Sequence, residues 1–278
     1  MLLERLLLSR PTYGWDDPFT TTVPMQNHFR DVKSWPAAEF RYAILFTPRS
    51  GSSFLTDLIQ STGLLGDAGE TFNPPITWDV AGAMGCTSLE DYVDSLVRAR
   101  NTSGVFSTEV TWTHVDFLFR DPQQFVDLVQ PESYVWLKRE DYVAQAVSIM
   151  SMSQTGVSHT ANASKDDIAR ARSMVRYNPV QLRGLVKRTL WMEMETERFF
   201  RDFGIEPLRL TYEQITGMAP SEVLRMLSDH LEYDVPIAHM PQSDHKKLSG
   251  SKSAEFADRF RAENKWLIRG LDRIRASF

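Results

Sequence analysis

The chain alternates short apolar runs with segments in which apolar residues recur at helical spacing. Tyr42 to Phe46 is a continuous apolar run suited to a buried strand, and Phe54, Leu55, Leu58 and Ile59 then fall on one helical face. Gly104–Trp112 (GVFSTEVTW) and Ser133–Leu137 (SYVWL) read as two more strands, the second leading into a helix with Val143, Ala146, Val147 and Met150. A long helix is expected from Pro179 to Phe203, closing at Gly204. PLRLTYEQI, from Pro207, gives a fourth strand ahead of a helix around Glu222 to Leu231. Strands separated by helices predict an α/β fold with a central, mainly parallel sheet flanked by helices.

Two stretches break this rhythm. Pro11 to about Pro36 has no period and reads as an extended arm, so residues 1–40 form an N-terminal extension and 41–278 a single domain. Pro241–Ser253 (PQSDHKKLSGSKS) is polar and basic, a loop with Lys246, Lys247 and Lys252. At the start, Leu2, Leu3, Leu6 and Leu7 share one helical face. A helix packing on the body or on another subunit is the ordinary reading of that face, and peripheral contact with a membrane surface the sharper one. Glu4 and Arg5 interrupt the run, which argues against a secretory signal, and no apolar run reaches the length of a membrane span.

Charge narrows the partners. A formal net charge of -5 over 278 residues argues against a general nucleic-acid or anionic-membrane binder, so any anion site is local. The one cysteine, Cys86, cannot form an internal disulfide, which fits a reducing cytoplasm. It has no His or Cys neighbour in GAMGCTS, so it reads as a small packed thiol.

The turn TPRSGSS, between the first strand and its helix, carries the most chemistry. Ligands of such folds bind at the carboxyl edge of the sheet, where the following helix presents unpaired N–H groups. Gly51 permits close backbone approach, Ser50, Ser52 and Ser53 can donate hydroxyl hydrogen bonds, and Arg49 adds a forked cation. Helix capping would use one serine and leave the arginine and glycine unexplained. The turn therefore reads as a phosphate cradle. It is neither a Walker A loop, nor a dinucleotide fingerprint, nor a nucleophile elbow, because the glycine and lysine spacings of each are missing.

In SYVWLKRED, Arg139 ends another strand and Ser148 lies about two turns into the next helix, so Arg139 can point into the same crevice or simply pair with Glu140 or Asp141. GDAGETFNP holds Asp67 and Glu70; a carboxylate at the mouth of such a crevice can deprotonate an acceptor hydroxyl, or merely be solvated. No His/Cys/Asp cluster has metal-ligand spacing, so no metal is expected.

TPRSGSSFLTDLIQSTG, GETF, WLKREDYVAQAVSIMSMSQTG and WMEMETERFFRDFGIEPLRLTYEQI, in that order, resemble the bacterial carbohydrate sulfotransferases that act on trehalose and on rhizobial lipopolysaccharide. The resemblance runs from about Arg41 to KSAEFADRFR. It implies a P-loop-like nucleotide-binding architecture, the sulfuryl donor 3′-phosphoadenosine-5′-phosphosulfate (PAPS), and a carbohydrate or glycolipid acceptor. It also implies that Arg49, Ser50, Gly51, Ser52 and Ser53 hold the 5′-phosphosulfate, that Arg139 and Ser148 hold the 3′-phosphate, and that Glu70 is the general base. Lys252 falls near a basic position of the family's late loop, and members commonly form homodimers.

Two features depart from the family. Glu109 stands where a lysine is common, and the arm has no counterpart. Glu109 either turns away, contacts acceptor hydroxyls, or marks an altered activity. Trp112, His114, Gln154 and His159 are further acceptor candidates; Trp15 and Trp78 could also stack on sugars, while Met150 and Met152 read as packing residues. The alternatives are a catalytically altered nucleotide- or carbohydrate-binding protein on the same fold, and a small-molecule kinase, which would want a magnesium carboxylate and a P-loop lysine.

Overall fold

A computed structural model of the chain describes residues 8, 10–19, 25–119, 121–156, 174–236 and 251–278. His159, Lys246, Lys247 and the leading leucines at 2, 3, 6 and 7 lie outside the described residues.

Four strands, β1 (Phe40–Phe46), β2 (Val105–Val110), β3 (Ser133–Lys138) and β4 (Leu208–Thr211), form one sheet in the order β2-β1-β3-β4, every neighbouring pair parallel. β1 is sheathed on both faces, which is why its sequence is continuously apolar. Tyr42, Ile44 and Phe46 face a core shared with Leu55, Leu58, Leu137, Leu210 and Leu224, whereas Ala43 and Leu45 face Phe72, Phe106, Trp136 and Phe200.

Helices supply the crossovers. α1 (Ser52–Thr62), α2 (Pro74–Met84) and α3 (Leu89–Ala99) join β1 to β2, and α4 (Trp112–Leu118) and α5 (Pro122–Val129) join β2 to β3. α6 (Tyr142–Thr155) and α7 (Pro179–Asp202) follow β3; α8 (Tyr212–Gly217), α9 (Pro220–Leu231), α10 (Ser251–Glu263) and α11 (Lys265–Arg275) follow β4. The chain leaves β1 for β2 on one side and returns to β3 on the other. The strand order therefore reverses between β1 and β3, and a crevice opens there at the carboxyl edge.

Three details differ from the sequence reading. The second strand stops at Val110, because Thr111 caps a helix that already contains Trp112. The arm includes two single 3-10 turns, Asn27–Phe29 and Val32–Ser34, tied down by Gln26 N donating to Ala83 O (2.9 Å) and Ala38 N donating to Val97 O (3.1 Å). Residues 251–253 are the first turn of α10 rather than the end of a loop, since burial of Phe256, Ala257 and Phe260 draws that segment into a helix along α6. Among the described residues no helix is long and apolar enough to cross a membrane.

Candidate active site

The turn after β1 is built on two left-handed residues, Arg49 (φ 67°) and Gly51 (φ 92°). Gly51 is required twice over. Its φ disfavours any side chain, and a Cβ there would lie 2.9 Å from Cδ2 of Tyr212 and 3.3 Å from Cδ1 of Ile215. Arg49 accepts the same backbone region without that exemption, a local strain typical of functional turns. Gln145, fully buried on α6, holds the turn: its Nε2 donates to Thr47 Oγ1 and to Pro48 O, both at 2.8 Å.

None of the serines caps α1. Gly51 is the N-cap residue and no side chain bonds to it. Ser50 Oγ is fully buried and has no hydrogen-bond partner within the protein, so a ligand or a bound water can complete it.

Arg139 emerges from the end of β3 beside this turn. Its guanidinium lies 4.5 Å from the ring centroid of Tyr212 and its Nε is 3.7 Å from Glu213 Oε1. Glu140 and Asp141 are not its partners: Glu140 N bonds Glu213 Oε2 at 3.0 Å, and Asp141 caps α6 by accepting from Ala144 N at 2.9 Å. Arg49 reaches the same place, its Nε donating to Ser148 Oγ at 3.1 Å. Burial, and then the nearby positive charge of Arg139, push the Arg49 guanidinium below its ordinary value. Two guanidinium groups with Ser148 between α6 and the turn form an arrangement that can hold an anion.

Behind Arg139 lies a rigid support. Arg275 of α11 pairs with the buried Glu193 (Nε–Oε2 2.7 Å, Nη2–Oε1 2.9 Å) and also donates to the carbonyls of Arg139 (2.6 Å) and Glu140 (2.5 Å). The peptide that carries Arg139 is thereby fixed from beneath.

The other side of the crevice is acidic. The loop bearing Glu70 is stitched to β2 by Glu109 N donating to Gly69 O (2.9 Å) and by the Thr71–Thr108 hydroxyl pair (2.8 Å). Asn73 Nδ2 donates to Glu70 Oε2 at 2.9 Å, while burial raises the Glu70 carboxyl above its ordinary value. Asp67 is an anchor for this loop, paired with Arg100 at 2.6 Å and bonded to Gln60. Glu109 is buried in the same region, accepts a short hydrogen bond from Thr56 Oγ1, and is pushed up to about 8 by burial and then by the charges of Glu70 and Asp57.

The remaining candidates sit farther out. Trp112 is buried against Phe199 (centroids 5.9 Å apart). His114 is buried too, its Nδ1 accepting from Thr111 N at 3.4 Å in a capping box, and burial pushes it down to about 3. Gln154 ties α6 to the start of α7 through Arg176 and Gln181. Lys252 lies over the ring of Phe256 at 5.7 Å, at the end of α10 opposite the Arg261–Asp141 pair.

Sequence reasoning missed Tyr212, Gln145 and Thr56. For Tyr212 a signal was present: an aromatic directly after LRLT, a strand ending at the same edge as Arg139.

Comparison with known proteins bears directly on this arrangement. A trehalose 2-sulfotransferase of Mycobacterium tuberculosis is 24% identical over 262 residues, covering 80% of this chain and 94% of that protein. A sulfotransferase from Alicyclobacillus acidocaldarius, known from its crystal structure, aligns with a TM-score of 0.49 and 16% identity, over 86% of this chain and 96% of that one. The family model described as Stf0 sulphotransferase matches residues 41–263, a span that begins at the second residue of β1 and contains β2 to β4 and both sides of the crevice. The chain belongs to the Stf0 sulphotransferase family.

Proposed function

We propose that the chain moves a sulfuryl group from PAPS to a hydroxyl of a carbohydrate or glycolipid, with Glu70 as general base. The observation that carries this reading is the meeting of Arg49, Arg139 and Ser148 beside the buried, unpartnered Ser50 hydroxyl. Such a constellation suits a nucleotide with phosphates at two positions: the turn from Arg49 to Ser53 for the 5′ end, Arg139 and Ser148 for the 3′-phosphate. Bound there, the donor supplies the activated sulfuryl group.

The residues of this chain do the rest. Arg49 and the N–H groups at the start of α1 hold the 5′-phosphate and face the charge that grows there, as preorganised donors do in phosphoryl transfer. Glu70 takes the proton of the attacking hydroxyl, oriented by Asn73. Its raised proton affinity suits a base of that kind. Lys252, on the late helix, belongs to the donor side on this reading.

The relative named for trehalose makes trehalose the first acceptor to try. Among the acceptor candidates, Glu109 is the carboxyl nearest the base in its electrostatics, whereas Trp112 and His114 are buried and would shape the acceptor side from behind. Glu109 is also what favours the second reading, a nucleotide-binding protein that transfers nothing, since it brings a second carboxyl to the reacting side. Incubating the protein with radiolabelled PAPS and trehalose, then a panel of bacterial glycans, decides between them. Label in a carbohydrate product is expected. Tight nucleotide binding with no labelled product from any glycan would favour the second reading.

A further inference from the structure

Glu109 is the one buried carboxyl of the crevice that neither donor binding nor proton abstraction uses. Its residue is only 3% exposed, and its position is fixed from two sides. Thr56 Oγ1, one turn beyond Ser52 and Ser53 on α1, donates to its Oε1, and its own N–H donates to Gly69 O (2.9 Å), next to Glu70. The titratable groups that face it are Glu70 from the loop, Asp57 from α1 and Tyr42 from β1; no cation is among them. A carboxyl taken out of water without a cation keeps its proton, and this one is pushed up to about 8.

On the reading that this crevice binds a sulfuryl donor, we propose that Glu109 is an uncharged hydrogen-bond donor to the transferred sulfuryl group, set between the helix after the phosphate-binding turn and Glu70. Thr56 ties the carboxyl to the element that ends at the donor turn, and Gly69 ties it to the loop that carries the base. On this reading the transferred group lies between those two elements. A lysine at this position would pair with Glu70 and weaken it as a base; a neutral acid supplies a hydrogen and leaves Glu70 the stronger anion. An ionised Glu109 would instead repel the negative sulfuryl group. A purely structural role would need only a hydroxyl or an amide, and no titratable group.

The test compares two ligands that differ by the sulfuryl group alone. Affinities for PAPS and for adenosine 3′,5′-bisphosphate are measured by calorimetry from about pH 6.5 to about pH 9.5. PAPS affinity is expected to fall above about pH 8, by up to about tenfold per pH unit, while bisphosphate affinity stays level across the same range. In Glu109→Gln the difference between the ligands should vanish. In Thr56→Val, which removes the bond favouring the ionised form, the fall should begin at higher pH. An equal pH response of both ligands, or a PAPS response unchanged in Glu109→Gln or in Thr56→Val, overturns the proposal. If the wild type binds neither ligand, the donor reading itself fails and takes this assignment with it. Bisphosphate binding without a PAPS-specific alkaline loss overturns the role of Glu109 alone.

Discussion

The crevice has a cationic side and an acidic side, and they are built differently. Arg49, Arg139 and Ser148 come from the ends of β1 and β3 and the helix after β3, strands that adjoin each other in the sheet. Glu70, Glu109 and Thr56 come from a loop, the edge strand β2 and α1. The first side brings two guanidinium groups together, with Glu213 3.7 Å from Arg139 Nε. The second brings together carboxyls whose burial favours the protonated form. On the proposed function, anion capture falls to the first side and proton abstraction to the second, an arrangement that suits in-line transfer from an anionic donor to a hydroxyl.

The sharpest way to break this separation is to silence one side and leave the other intact. Glu70→Gln keeps the Asn73 contact and removes the base, so turnover should drop by about a hundred- to ten-thousand-fold while bisphosphate affinity is unchanged. A parallel loss of affinity, read in the same calorimetric titration, would mean that the two sides are not separate.

Next in size is Gly51→Ala, which places a Cβ 2.9 Å from the Tyr212 ring at φ 92°. About 1–3 kcal/mol of strain is expected, seen as a lower melting temperature and weaker nucleotide binding. Gln145→Leu should act through the same turn more gently. It removes two hydrogen bonds of 2.8 Å from one buried amide, so bisphosphate affinity should weaken while the pH response assigned to Glu109 is untouched.

How much of this was legible in the sequence follows from chain distance. Arg49 to Ser53 are contiguous, so a strand, a turn and a helix in one stretch disclosed them. Arg139 was legible as one of two readings, since a basic residue ending an apolar run can point to the edge of the sheet, and Ser148 only through the family resemblance. Tyr212 was legible only as an aromatic after a strand; that it fills the space over Gly51 and lies against Arg139 depends on β4 joining β3. Thr56 and Glu109 meet only across the β1–β2 crossover, so nothing local marks them as partners. His114 shows the opposite case. Thr111 and His114 stand at capping-box spacing, a local signal that explains the histidine before any ligand is invoked.

Protonation offers the finest distinction. Glu109 holds its proton more tightly in the folded chain than the ordinary carboxyl value of 4.5, so its contribution to stability is present in acid and is lost as pH rises through about 8. Glu109→Gln should therefore flatten the fall in melting temperature between about pH 4.5 and about 8. His114 has the reverse sign. Buried neutral and pushed down to about 3 from 6.5, it makes the fold lose stability as pH falls below about 6.5. Thermal melts of the wild type, Glu109→Gln and His114→Gln across pH read the two signs directly, and a fall between about pH 4.5 and about 8 left unchanged in Glu109→Gln would deny Glu109 its buried proton.

The claim on which the rest depends is that Arg49, Arg139 and Ser148 recognise two phosphates on one nucleotide. Calorimetric titration of wild type and Arg139→Ala with adenosine 3′,5′-bisphosphate and with AMP tests it. The account predicts that the wild type prefers the bisphosphate and that Arg139→Ala weakens it by about 10- to 100-fold, with AMP nearly unaffected. Equal losses for both ligands, or no preference in the wild type, would contradict it.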